Sequence, residues 1–117
     1  MNELDKLRSM LDKANIPYES FKELHTELVD GFVECCKSHY GEAGVYSRNQ
    51  VCYYGAKKDE ERGWKIDGIC QFGSYGAEDG LIETYGELGT DFDGKPRIMT
   101  AHQMFEIIRN DWEKQKE

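Results

Sequence analysis

The chain has 117 residues, a net charge of −8 and a 38% hydrophobic content with 12% aromatics. That length fits a single domain, residues 1–117, with one modest core, and the composition excludes global disorder. No apolar run approaches the roughly 20 residues of a membrane helix, and MNELDKLRSM alternates charge with leucine instead of forming an apolar leader, so a cytoplasmic protein without a membrane partner is expected.

Helix one is expected over residues 3–14. Leu4, Leu7, Leu11 and Ala14 share one helical face, and Met10 widens it. Asn15 suits the left-handed position that ends a helix, and Pro17 prevents continuation. A second helix is expected over 21–40, opened by Ser20 and Glu23 as a capping box, with Gly31 as a point of bending. Three β-like runs follow, at 45–54, 64–72 and 81–88. In the second, Trp64, Ile66, Cys70 and Phe72 alternate with outward Lys65, Asp67 and Gln71; in the third, Ile82, Thr84 and Leu88 alternate with outward Glu83 and Glu87. GSYGAEDG joins these two runs as a wide hairpin loop. Residues 90–96, TDFDGKP, read as a turn in which Asp93-Gly94 supplies the positive φ. A last helix is expected over 101–114, capped by Thr100 and Gln103, with Met104, Phe105, Ile108 and Trp112 as its apolar stripe. The pattern implies an α+β fold: a small antiparallel sheet of about three strands, packed with N-terminal and C-terminal helices.

Several kinds of chemistry are weighed against these residues. Cys35, Cys36 and His39 are close in sequence, and Cys52 and Cys70 complete the cysteines, but there is no CxxC pair, and adjacent helical cysteines point ~100° apart. Buried, reduced cysteines are expected, and no metal and no cofactor. Asp91 and Asp93 fail the calcium-loop pattern, because Gly94 comes too early and Lys95 stands where a ligand is needed. GSYGAEDG lacks the lysine and hydroxyl of a phosphate loop, and Glu78 and Asp79 would oppose an anion. His102 reads as a helix-surface residue, and no coherent catalytic set emerges, so no enzymatic activity is expected. Between Lys65 and Lys95 the chain carries seven acidic residues and no Lys or Arg. Such a surface repels phosphate backbones, which argues against direct nucleic-acid binding and for a basic protein partner. Tyr75 is the candidate contact residue, since a loop tip between glycines otherwise carries no large side chain, and tyrosine is enriched at interfaces.

Three segments, LDKLRSMLDKANIPYE, ICQFGSYGAEDGLIE and IMTAHQMFEIIRNDW, together resemble a group of small proteins from phages and prophages of Firmicutes. That group has an IPYE-like helix exit, a GSYGG-x-x-GLLE loop–strand and a closing LTAxxVFxxI helix. The chain departs from the pattern at Ala77, usually glycine, and over residues 21–45. The resemblance implies a phage or prophage accessory protein acting in the bacterial host cytoplasm, and it transfers no catalytic residue. Three functional expectations follow. The leading one is a counter-defence inhibitor that occludes a basic host protein through Tyr75, Glu78, Asp79, Glu83, Glu87, Asp91 and Asp93. The second is a homo-oligomeric sponge for a nucleotide second messenger, using Gly73, Tyr75 and Gly76 with a phosphate contact from Arg48 or Arg97. The third is a thiol- or metal-dependent enzyme.

Overall fold

A short capped helix opens the fold. In the computed structural model, which describes residues 2–24, 41–56 and 63–115, α1 spans Glu3–Lys13. The Asn2 side chain caps it by accepting from Asp5 N at 3.0 Å, and Glu3 and Asp5 sit in the first turn with Lys13 in the last, which complements the helix dipole. Leu4, Leu7 and Leu11 are fully buried. The exit is the one the sequence announces: Asn15 takes φ 56°, and Ile16 N donates back to Leu11 O at 3.0 Å.

The expected second helix is corrected at its start. Glu19–Leu24 is a strand, β1, and it pairs antiparallel with β2, Tyr46–Tyr53. Ser20 does not cap a helix. Its Oγ accepts from Arg8 Nε at 2.8 Å, and the same guanidinium donates to Phe21 O at 3.1 Å and Asn49 Oδ1 at 2.8 Å. A partner twelve residues upstream thus takes the hydroxyl that the capping pattern assigns to a local N–H. The rest of that expected helix, with Gly31, Cys35, Cys36 and His39, lies outside the described residues.

Among the described residues the sheet has five strands in sequential order, not about three. After β2 come β3, Ile66–Ile69, then β4, Ile82–Tyr85, and β5, Arg97–Met99, each antiparallel to its neighbour. The three expected runs hold as β2, β3 and β4, with β3 and β4 shorter than expected. α2, Ala101–Gln115, closes the chain. Its capping box forms as expected, with Thr100 N donating to Gln103 Oε1 at 2.8 Å and Gln103 N to Thr100 Oγ1 at 3.4 Å.

α1 and α2 pack against each other and cover one face of the sheet. Val51, Tyr53, Ile66, Ile82 and Met99 project onto that face and meet Leu4, Leu7, Leu11, Met104 and Ile108 in the core. Gly68 is required there. A Cβ at that position would lie 2.5 Å from Ile82 Cγ2 and 2.9 Å from Met104 Sδ, so the absent side chain lets α2 sit close to β3. At the far end of α2, Asp111 accepts from the Tyr53 hydroxyl at 2.7 Å and pairs with Lys65 Nζ at 3.0 Å. Burial and the bond to Asp111 push the Tyr53 phenol well above its ordinary range.

Candidate functional site

The opposite face of the sheet follows from the same alternation. Phe21 of β1, Arg48, Gln50 and Cys52 of β2, Asp67 and Ile69 of β3, Glu83 and Tyr85 of β4 and Ile98 of β5 share it, as the strand registers require. Most of these residues are polar, which by itself predicts solvent. Three of them are not in solvent: Cys52 is 1% exposed, and Asp67 and Glu83 are each 3% exposed. The expected outward, solvated positions of Asp67 and Glu83 are therefore corrected. Alternation places both on the side away from α1 and α2, and both are buried there.

Glu83 organises the loop before it. Its Oε2 accepts from the backbone N–H of Tyr75 at 2.9 Å, and its Oε1 accepts from the Tyr85 hydroxyl at 2.6 Å. That bond, more than burial, pushes the Tyr85 phenol up to about 12. The Gly73–Gly80 segment is consequently no slack hairpin loop. Ser74 Oγ accepts from Gln71 N and donates to Gln71 O, Ala77–Asp79 makes one 3₁₀ turn, and Glu3 N donates to Gly80 O at 3.1 Å. Gly76 takes φ 83°, and a Cβ on it would come within 2.8 Å of Ile98 Cγ2. Ala77 is buried. Tyr75 points out, 71% exposed. A large apolar ring in water is held there by a buried carboxylate that grips its backbone.

Asp67 is the second buried acid. Its Oδ2 accepts from Gln50 Nε2 at 2.7 Å, and Gln50 Oε1 in turn accepts from Arg48 Nε at 3.0 Å. Arg48 stacks on the Phe21 ring with its guanidinium carbon 3.6 Å from the centroid. The other oxygen of Asp67, Oδ1, is buried as well, and the Trp64 indole also hydrogen-bonds the carboxylate. Burial raises the Asp67 pKa above the ordinary carboxylate value, the Gln50 bond opposes that, and the nearby charge of Glu83 adds to it.

The remaining expected contact residues fall into two groups. Glu78 and Asp79 are exposed on the 3₁₀ turn at one end of β4; Glu87, Asp91 and Asp93 are exposed at the other end. Four residues of β4 separate them, roughly 10 Å at strand rise. The seven residues thus do not form one patch; the five exposed acids bracket a face on which Tyr75, Tyr85 and Ile98 stand. Asp91 has a local duty as well, because its Oδ1 accepts from Asp93 N at 2.9 Å and Lys95 N at 3.0 Å. This is the turn chemistry expected of DFDG.

The residues of the nucleotide reading are not gathered. The Tyr75 N–H, needed as a phosphate donor, is occupied by Glu83. Arg48 and Arg97 lie on β2 and β5 with two strands between them, and their registers put them on opposite faces. Among the described residues no group of three or more His, Cys, Asp and Glu can hold a metal ion. Cys52 and Cys70 are both buried, and burial pushes the Cys70 thiol up to about 11, away from the reactive thiolate. His102 is exposed on α2.

Sequence reasoning missed Gln50 and the buried state of Asp67. The available signal was the aromatic company of these acids, Trp64 and Tyr85, in runs where Asp67 and Glu83 were read as outward-facing. No helix among the described residues is long and apolar enough to cross a membrane. Comparison with protein-family models, with curated proteins and with solved structures finds no match.

Proposed function

We propose that this chain is a non-enzymatic binding protein that occludes a basic surface of another protein, and that it serves a phage or prophage as an accessory factor against a host defence protein. The observation that carries the binding reading is the bracing of Tyr75. An exposed tyrosine on a mobile loop loses entropy when it binds, whereas one whose backbone is fixed in advance loses less. Glu83 fixes Tyr75 and Tyr85 together through its two oxygens. Tyrosine in such a position is a favoured interface anchor. The exposed carboxylates at both ends of β4 add complementarity to a basic partner and speed its approach. The phage assignment rests on the three segments that resemble that protein group.

The test is affinity capture from bacterial lysate with the wild-type chain, Tyr75→Ala, and the quadruple reversal Glu78→Lys, Asp79→Lys, Glu87→Lys, Asp93→Lys. Glu83 and Asp91 are left intact because both hold the fold. A specific basic protein retained by the wild type and lost from both variants is the expected result. Equal retention by the quadruple variant removes the electrostatic part of the proposal.

A further inference from the structure

Residues 91–98, which lead from β4 into and along β5, are exposed throughout. Exposure of that length would by itself describe a slack loop, but the hydrogen bonds describe a braced hairpin. Asp91 N donates to Lys95 O at 2.9 Å and Gly94 N donates to Asp91 O at 3.0 Å, with Gly94 at φ 76°. This is a three-residue hairpin loop closed by a glycine in the left-handed region. The Asp91 side chain closes it a second time, since its Oδ1 accepts from Asp93 N and Lys95 N. The root is held as well. The hydroxyl of the buried Thr84 donates to Gly89 O at 2.7 Å, with Arg97 O also within reach at 3.0 Å, and Arg97 N donates to Gly89 O at 3.3 Å. At the tip stands Phe92, 108% exposed, and no large apolar side chain among the described residues is more exposed. A lone apolar side chain on a surface is ordinary. A ring that buries nothing in its own chain, on a loop closed twice over, is not accounted for by packing.

We propose that this hairpin is a second anchor of the binding surface, and that Phe92 enters an apolar pocket of the partner protein. This deepens the binding reading and rests on it: Tyr75 stands before β4 in the chain and Phe92 after it, and both engage the same partner.

The chemistry of the hairpin selects the partner. A ring held out in advance loses little freedom on docking, and an aromatic side chain that fills a pocket is the usual centre of an interface. Asp91 and Asp93 stand on either side of Phe92, and Lys95 and Arg97 follow on the returning arm. The rim of the pocket is therefore basic beside the tip and acidic beside the returning arm. A rim of two signs fixes the direction in which the hairpin enters. A lipid surface does not fit, because inserting the ring would carry both neighbouring carboxylates into the headgroup layer, and an anionic bilayer repels a chain of net charge −8. The same net charge sets one copy of the chain against another.

The test has two parts. Amide hydrogen exchange on the full chain reads the bracing without any partner. Asp91, Gly94 and Lys95 should exchange at least about tenfold more slowly than in an unstructured peptide, and Asp91→Ala should release Lys95. Unprotected exchange at all three overturns the braced anchor. The second part places the photoreactive amino acid p-benzoyl-L-phenylalanine at position 92 of the full chain and irradiates it in bacterial lysate. We expect one protein adduct, suppressed by excess wild-type chain and by Phe92→Leu. Phe92→Ser, which should melt as the wild type does, should compete at least about tenfold more weakly. No adduct, an adduct between two copies of the chain, or equal competition by Phe92→Ser overturns the proposal. So does binding to vesicles of phosphatidylethanolamine and phosphatidylglycerol that Phe92→Ser abolishes. The two proposals fail separately. If capture depends on Tyr75 but Phe92→Ser competes fully, the hairpin anchor is wrong and the binding reading stands. If the adduct depends on Phe92 while Tyr75→Ala captures the same protein undiminished, the hairpin is the anchor and the Tyr75 reading falls.

Discussion

The two faces of the sheet are built from alternate residues of the same strands, yet they do different work. On the helix-covered face Val51, Tyr53, Ile66 and Ile82 meet leucines of α1 and Met104 and Ile108 of α2, so contact area holds the elements together. On the outer face Arg48, Gln50 and Asp67 form one hydrogen-bonded chain and Glu83 a second network with Tyr75 N and the Tyr85 hydroxyl, and their neighbours Tyr75, Tyr85 and Trp64 are left partly or largely in solvent. The first face holds a few buried polar groups, Asn49 and Thr84 among them, within a mostly apolar contact. The second spends buried polar groups on orienting exposed rings, which contributes little to a core and much to a preorganised surface. The difference teaches where to look for stability and where to look for recognition.

Substitutions on the first face should carry the largest effects on stability. Leu7→Ala should cost about 2–5 kcal/mol through lost transfer energy and a cavity, read as a lowered midpoint in denaturant. Gly68→Ala should cost about 1–3 kcal/mol by overpacking against Ile82 and Met104, since a Cβ there has only 2.5 Å to the Ile82 methyl. If Gly68→Ala leaves the midpoint unchanged, α2 does not sit on β3 as described.

Next comes Glu83→Ala, which leaves the Tyr75 N–H and the Tyr85 hydroxyl without their acceptor. The expected cost is about 1–3 kcal/mol, together with faster hydrogen exchange at Tyr75. A variant with unchanged exchange at Tyr75 would show that the carboxylate does not brace the loop.

Asp67→Asn should have the opposite sign. Burial first, and the Glu83 charge in addition, raise the Asp67 pKa in the folded state, so the folded chain holds this proton more tightly than the unfolded chain does. Stability is then favoured at low pH and declines as pH rises from the unfolded carboxylate range through the raised folded value. At neutral pH the charged, buried Asp67 is a burden that asparagine removes. We expect Asp67→Asn to be more stable than the wild type at pH 7 and to lose that advantage as the pH falls below the ordinary carboxylate range. Equal stability of the two proteins across this range would mean that Asp67 is fully compensated.

Much of the helix-covered face could be read from the chain alone. The leucine spacing of α1, the Asn15 exit and the Thr100–Gln103 box are local patterns whose satisfied groups lie within a turn of one another. β1 was not legible for the converse reason. Ser20, Phe21, Glu23 and Leu24 fit a helix start, and what overrides them is Arg8 and the ladder with β2, neither of which is near in sequence. β5 is only three residues long, too short for a period to register. On the outer face the sidedness of Asp67 and Glu83 was legible from alternation, but their burial was not, because period two tells which side a residue is on and not what lies over it. The exposure of Tyr75 was foreseen from its place between glycines; the carboxylate that holds it was not, since Glu83 lies eight residues on and in the next strand.

The smallest effect on stability and the largest on function should meet in Tyr75. Its ring is mostly in solvent, so Tyr75→Ala should change stability by no more than about 0.5 kcal/mol. The decisive measurement is partner capture by this variant beside its thermal melt. We expect a melt indistinguishable from the wild type and a captured protein reduced to background. A variant that melts normally and captures the same protein in the same amount would contradict the assignment of the outer face to recognition.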